Sequence, residues 1–150
     1  PACTAVVVGD GGYRPALERM AKQAGAGRFI GSVPFRELPD YFRLCDLFLN
    51  ATVQQNGYDL TMVEAMACGK VVVSSDIGST PTLIEDGVDG LLFPTADRRS
   101  LARKVIGILG DEGARAAMGD RARRKVLSEF TLDAMVERTI AVYRTLLTRA

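Results

Sequence analysis

The 150-residue chain contains no histidine and no tryptophan. Without histidine it lacks the commonest general base at neutral pH, the commonest zinc ligand, and any Ser-His or Cys-His nucleophile pair. Cysteine is scarce: Cys3, Cys45 and Cys68 are too few and too scattered for a disulfide framework or a metal cluster. Each sits among apolar neighbours, so each is expected as a small buried thiol in a reducing, cytoplasmic setting. No run approaches 18 apolar residues and no basic-then-apolar leader opens the chain, which predicts neither a membrane span nor secretion. No cluster of acids has ligand spacing, so no metal is expected.

Charge of one sign is also missing. Nineteen basic residues face eighteen acidic ones, a net charge of +1. That balance speaks against nucleic acid as a partner, where a basic stripe would be expected. The late basic run Arg121, Arg123, Arg124 and Lys125 is interleaved with apolar residues at helical spacing and reads as a solvated helix face, with a phosphate or membrane surface as the alternative.

What is present is enough for a core. The chain is 47% hydrophobic, and at its length folding buries roughly 68–70% of the surface. Short apolar runs alternate with helical segments. Strands are predicted at Thr4–Val8, Arg28–Ile30, Asp46–Leu49, Val71–Ser74 and Gly90–Phe93. Helices are predicted at Pro15–Ala24, Leu38–Leu44, Leu60–Cys68, Ser100–Leu109, Gly113–Phe130 and Leu132–Thr148. In the first of these helices, Leu17, Met20, Ala21 and Ala24 form the face expected to pack. Asp59 is the expected N-cap of the Leu60 helix and Gly69 its stop; Thr131 is expected to cap the last helix. The alternation implies an α/β fold, a Rossmann-like parallel sheet with flanking helices, closed by the last three helices. Residues 1–150 read as a single domain.

In such a sheet ligands bind outside the carboxyl ends of the strands. The loops at that edge are Gly9–Tyr13, Gly31–Pro34, Asn50–Asp59 and Ser75–Pro81. Gly9-Asp10-Gly11-Gly12-Tyr13-Arg14 follows a strand and precedes a helix, but Arg14 stands where a dinucleotide fingerprint has its third glycine, and no Gly-Lys-Ser/Thr follows. A tight turn and a nucleotide-facing loop both fit it.

The most informative segment is Asn56-Gly57-Tyr58-Asp59-Leu60-Thr61-Met62-Val63-Glu64-Ala65-Met66-Ala67-Cys68-Gly69. Gly57 allows close backbone approach to a ligand. The helix starting at Leu60 aims unpaired N–H groups and its positive dipole end at the loop, an anion site suited to a diphosphate. Leu60, Val63 and Ala67 mark an apolar stripe with Glu64 off its centre. A carboxylate there can accept two hydrogen bonds from vicinal ribose hydroxyls, or can simply complement the helix dipole; spacing alone leaves both open.

Continued through Lys70-Val71-Val72-Val73-Ser74-Ser75-Asp76-Ile77-Gly78, this segment resembles the core signature of glycosyltransferase family 4, retaining enzymes of the two-domain GT-B fold. Val7–Gly11, Phe29–Val33, Ile84–Pro94, Met118-Gly119 and Glu129–Thr131 resemble further motifs of that family. The resemblance implies the carboxy-terminal, nucleotide-sugar-binding half of the enzyme, with a nucleotide-diphosphate sugar as donor substrate and no further cofactor. Gly9, Gly11, Ile30 and Val33 would edge the nucleotide, and Gly57, Tyr58, Asp59, Leu60 and Thr61 would surround the diphosphate. Glu64 would hold the ribose. The family's first glutamate, which works beside the donor sugar, falls on Asn56. Asn56 can hydrogen-bond a hydroxyl but cannot place charge beside an oxocarbenium ion. Asp59 stands where a small residue is usual, and Thr82 where a glutamate is usual.

The basic Arg and Lys that grip the diphosphate in the family lie upstream of the segment matching Thr4–Val8. Arg14 and Lys22 are nearby cations but not equivalents. The amino-terminal acceptor domain is expected to lie outside these residues, so the chain alone is not expected to transfer sugar. A membrane-surface acceptor, and self-association through an exposed apolar face, are compatible with this reading. Two other readings stand: a nucleotide-binding module without catalysis, and a fragment of a GT-B-type nucleotide-sugar epimerase. A dinucleotide oxidoreductase fits less well, because the strand Arg28–Ile30 does not end in an acid.

Overall fold

The computed structural model describes residues 3–55 and 59–148. Asn56, Gly57 and Tyr58 lie outside the described residues. The chain divides into two compact units, residues 1–41 and 42–150.

The first unit is built on two parallel strands, β1 (Val6–Val8) and β2 (Arg28–Gly31), joined by helix α1 (Arg14–Ala24). Pro15 at the start of α1 lacks an N–H that a first turn leaves unpaired anyway, and Gly25 ends the helix in the left-handed conformation at φ 63°. The elements are where the sequence puts them, but their apolar faces are not buried. Val6, Val7, Leu17 and Met20 are exposed, and α1 has no buried residue. Two strands and one helix are too few to enclose a core, so the runs that read as interior remain at the surface. Cys3 is likewise exposed, not the buried thiol expected.

The second unit holds the core. Strands β3 (Leu47–Asn50), β4 (Val71–Asp76) and β5 (Leu91–Pro94) form a parallel sheet in the order β3-β4-β5, with Leu47 opposite Val71 and Val73 opposite Leu91. The expected single sheet is therefore two ladders, one per unit. β4 is central, and Val71–Ser75 is buried along its length, the signature of a strand covered on both faces. Helix α2 (Leu38–Leu44), inside which the division between units falls, sets Phe42 edge-on to Phe48 at 5.6 Å.

Helices α5 (Arg98–Gly110) and α6 (Glu112–Glu129) cover one face: Ile108 and Met118 pack with Val71, Val73 and Phe93, flanked by Leu101 and Val105. α5 begins two residues earlier than its apolar run. The cap is Asp97, which accepts from the N–H groups of Arg99 and Ser100 at 3.0 Å each. Asp111 and Thr131 cap α6 and α7 (Leu132–Leu147) by accepting from Ala114 and Ala134. The last helix does not close the sheet as expected. It packs on α6 and has no buried residue, leaving Leu132, Met135, Tyr143 and Leu146 exposed.

In the late basic run Arg123 and Arg124 are exposed, as expected of a solvated face, and three of the four residues also bond within the chain. Arg121 Nε donates to the Val88 carbonyl at 2.6 Å, Arg123 donates to the Ala67 carbonyl, and Lys125 pairs with buried Asp89 at 2.7 Å. Two of these bind the turn Glu85–Gly90, which follows the four-residue helix α4 (Thr80–Leu83). From α5, Lys104 reaches the same turn and pairs with Asp86 at 2.7 Å.

Candidate functional site

Helix α3 (Leu60–Ala67) follows β3 and leads into β4. Asp59 caps it: its Oδ1 accepts from Thr61 N at 3.1 Å and from Thr61 Oγ1 at 2.6 Å. The other oxygen, Oδ2, accepts from Asn50 Nδ2 at 3.1 Å. Asn50 ends β3, and its own side-chain oxygen accepts from Thr52 N at 3.2 Å, shaping the chain as it leaves the sheet. Three donors from the end of a strand and the start of a helix thus converge on one carboxylate. This is the geometry of an oxyanion cradle, and the dipole of α3 adds to it.

The burial of α3 differs from the stripe read in the sequence. Met62, Ala65 and Met66 are buried, at the i, i+3, i+4 spacing of one helix face. Each buried methionine contributes roughly 1.5–3 kcal/mol. Leu60 is 70% exposed, and Val63, Glu64 and Ala67 are partly buried on the side away from that face. The apolar stripe Leu60–Val63–Ala67 is therefore the outward side of the helix, and Glu64 lies on it. Apart from Thr61 and Glu64 the helix is apolar on both sides, which is why its sequence did not reveal which side packs.

Glu64 has no hydrogen-bond partner or cation among the described residues. Burial, and then the negative charge of Asp59, hold its carboxyl above the usual carboxylate range. A partly buried carboxylate with a second carboxylate nearby and no cation is unfavourable in the ligand-free chain. At the other end of α3, Gly69 takes φ 71° and the Arg123 guanidinium meets the carbonyl of Ala67, a cation at the negative pole of the dipole. Gly119 of α6 packs so closely on Gly69 that a Cβ there would overlap the Gly69 carbonyl. The start of α3 is thus held by its cap, the end by α6, and the buried face by the sheet.

In the first unit, Gly9 (φ 121°) donates to the Gly31 carbonyl at 2.8 Å, and Asp10 accepts from Gly11 N at 2.8 Å. Arg14 is held by Glu18 at 2.8 Å and Asp10 at 3.2 Å. The hydrogen bond to Glu18 is the main reason its pKa rises. This arginine is therefore neutralised by two acids. Gly9 and Gly11 line a depression of about 250 Å³ together with Tyr13, Arg14 and Leu17. Ile30 is exposed and Val33 partly buried; neither is among the residues lining it. Of the residues singled out in the sequence, the structure joins Asp59, Thr61 and Glu64 on one helix and Gly9 with Gly11 on one loop. Asn50 was missed, because nothing in a strand-ending asparagine announces that it will reach a residue nine positions on.

A sequence profile of the family described as Glycosyl transferases group 1 matches residues 1–111. The chain belongs to that family.

Its relatives agree with this membership. The chain is 32% identical over 121 residues to a phosphatidyl-myo-inositol mannosyltransferase of Mycolicibacterium smegmatis, covering 81% of this chain and 31% of that protein. Among solved structures it is similar to Anabaena Alr3699/HepE in complex with UDP-glucose, with a TM-score of 0.86 and 25% identity over 95% of this chain and 41% of that one. It is also similar to the C-terminal domain of a glycosyl transferase group 1 family protein, LpcC, of Francisella tularensis, with a TM-score of 0.77 and 28% identity over 86% of this chain and 70% of that one. The fold is that of GT-B glycosyltransferases, with parallel sheets flanked by helices. The chain spans about a third of the length of the curated relatives it matches, at 31%, 36% and 33% for three of them.

Within this family frame the remaining groups are quiet. Among the described residues no cluster of three or more His, Cys, Asp or Glu could hold a metal ion, and no helix is long and apolar enough to cross a membrane. Burial pushes the Cys45 thiol up, against the opposing pull of Lys70, so it is a poor nucleophile.

Proposed function

We propose that this chain is the nucleotide-sugar-binding part of a retaining glycosyltransferase. The N–H groups at the start of α3 take the donor's diphosphate, and the Glu64 carboxylate accepts hydrogen bonds from the ribose hydroxyls. Gly9, Gly11, Ile30 and Val33 serve as nucleotide contacts, Gly57 and Tyr58 are assigned from the sequence to the diphosphate, and Asn56 is assigned from the sequence to the donor sugar. In the intact enzyme a hexosyl group passes to an acceptor hydroxyl with its anomeric configuration kept. Catalysis here is positioning plus stabilisation of the leaving diphosphate, with no metal or further cofactor. An amino-terminal domain supplies the acceptor site, at a membrane surface or in the cytoplasm, and the chain alone does not transfer sugar.

The observation that carries this reading is Glu64: a partly buried acid with no partner among the described residues, on the outward side of the helix that carries the anion cradle. Such a group is destabilising unless a ligand completes it. The UDP-glucose complex of the Anabaena protein and the mannosyltransferase relatives support a nucleotide-sugar donor and a hexosyl cargo. A second reading, a nucleotide-binding module without catalysis, is favoured only by Asn56 in place of the family's glutamate.

A thermal-shift screen with UDP-, GDP- and ADP-sugars, the nucleoside diphosphates and NAD tests the class. Stabilisation by ribonucleoside diphosphates and their sugars is expected, and Glu64→Ala removes it while circular dichroism stays native. Unchanged affinity in that variant would refute the ribose assignment.

A further inference from the structure

The cradle at the start of α3 is already occupied, by the protein's own Asp59. One carboxylate takes the Thr61 N–H at 3.1 Å, the Thr61 hydroxyl at 2.6 Å and the Asn50 amide at 3.1 Å. On the reading above, the Thr61 N–H belongs to the donor's diphosphate. An N–H held by one carboxylate oxygen is not available to a phosphate oxygen at full strength, and a fixed negative charge in the same place repels the arriving one. Glu64 brings a second acid to the same helix, and no cation offsets either of them among the described residues. From the donor's side, the site is more acidic than a diphosphate site needs to be.

We infer that Asp59 is an internal competitor for the diphosphate: its carboxylate holds the Thr61 N–H of α3 in the ligand-free chain, and the donor takes that N–H only by displacing it. This rests on α3 being the diphosphate site, and it goes further by naming the residue that sets the affinity there. The displaced carboxylate loses its bonds to Thr61 and Asn50, so the exchange weakens binding without altering which nucleoside is chosen. The effect is confined to the phosphate end of the ligand.

Isothermal titration of the 150-residue chain with UDP and GDP, and with uridine and guanosine as phosphate-free probes, tests this. Asp59→Asn keeps a capping oxygen and removes the charge; Asp59→Ser keeps a shorter cap and guards against misfolding of the first variant. Both are expected to bind the nucleoside diphosphate about fivefold or more tightly than the parent chain. Nucleoside affinity should not change. Diphosphate binding detected only in the variants supports the inference equally. Unchanged or weaker diphosphate binding in both variants overturns it, because Asp59 is then a plain cap or a ligand contact. So does an equal gain for the nucleosides, since the effect would not lie at the phosphate. If neither diphosphate binds any of the three folded proteins, the assignment of α3 fails and the inference with it. That outcome is distinct from one in which the parent binds, Glu64→Ala loses binding, and Asp59→Asn changes nothing.

Discussion

Gly119 offers the sharpest test of how α6 positions α3. A methyl group at Gly119 would overlap the carbonyl of Gly69, backbone against backbone, so neither side can swing away as a flexible side chain would. Gly69 itself is fixed at φ 71° immediately after α3. Gly119→Ala must therefore push α6 and the end of α3 apart. Overpacking of this kind costs about 1–3 kcal/mol, against a gain of up to about 1 kcal/mol from replacing glycine within a helix. Set against the full propensity gain, the net is a loss of up to about 2 kcal/mol, read by thermal denaturation as a fall of up to about 8 °C for a chain of this length. Gly107 in α5 is the control: it is exposed, and a Cβ there meets nothing within 4 Å. Gly107→Ala should raise the midpoint, by helix propensity alone. If Gly119→Ala is as stable as Gly107→Ala, the close contact does not exist as described and α6 does not anchor α3.

Two further outcomes follow from the charges. Lys125→Met leaves the carboxylate of Asp89, a residue only 4% exposed, with the Glu85 N–H as its remaining donor; it should cost about 2–3 kcal/mol in urea denaturation, on the low side for a broken buried pair because Lys125 is partly exposed. A loss below about 0.5 kcal/mol would mean that this pair does not hold the Glu85–Gly90 turn. Glu64→Gln should stabilise the ligand-free chain at neutral pH while weakening nucleotide binding. Its sign is fixed by linkage: a carboxyl held above its ordinary value of about 4.5 binds more protons folded than unfolded, so the parent loses stability as pH rises from there through the folded value. The advantage of the variant should therefore shrink on acidification through that window, and a pH-independent difference would show that charge is not the cause.

Much of the fold was legible in the residues. Alternation of apolar runs and helical segments located all five strands to within two residues at either end, because each strand is a short apolar run whether it is buried, as Val71–Ser75 is, or exposed, as Val6 and Val7 are. Asp59 and Thr131 read correctly as caps because capping needs only a local oxygen and a nearby N–H. What failed was anything that depends on who the neighbour is. Leu17 and Met20 look interior by spacing, yet a two-stranded unit cannot enclose them. Leu60, Val63 and Ala67 are as apolar as Met62, Ala65 and Met66, so periodicity within α3 could not say which trio packs. The basic run of α6 read as a solvated face, which Arg123 and Arg124 are, but the bonds of Arg121, Arg123 and Lys125 were missed because their partners, the carbonyls of Val88 and Ala67 and the Asp89 carboxylate, lie 33 to 56 residues away.

Those missed bonds bear on how the candidate site is built. The Ile84–Pro94 segment resembles a family motif, and in the structure its acids work inward. Asp89 accepts from Glu85 N at 2.8 Å and from Lys125, while Asp86 accepts from Leu92 N at 2.8 Å and from Lys104. Burial alone would raise the Asp86 carboxyl, but the hydrogen bonds of Lys104 and Leu92 and the charge of Lys104 leave it below its ordinary range. Gly90 has no room for a Cβ between Ile84 and the Val72 carbonyl, so this turn is locked against β4. Asp89 is buried and Asp86 half exposed, and through these bonds both tie the turn to the covering helices α6 and α5. Glu64 is a partly buried acid of the same unit, and it has no such partner among the described residues. Asp89, the one fully buried acid among the described residues, is given both a cation and an N–H. On the proposed function, the ribose hydroxyls of the donor supply the hydrogen bonds that Glu64 lacks among the described residues.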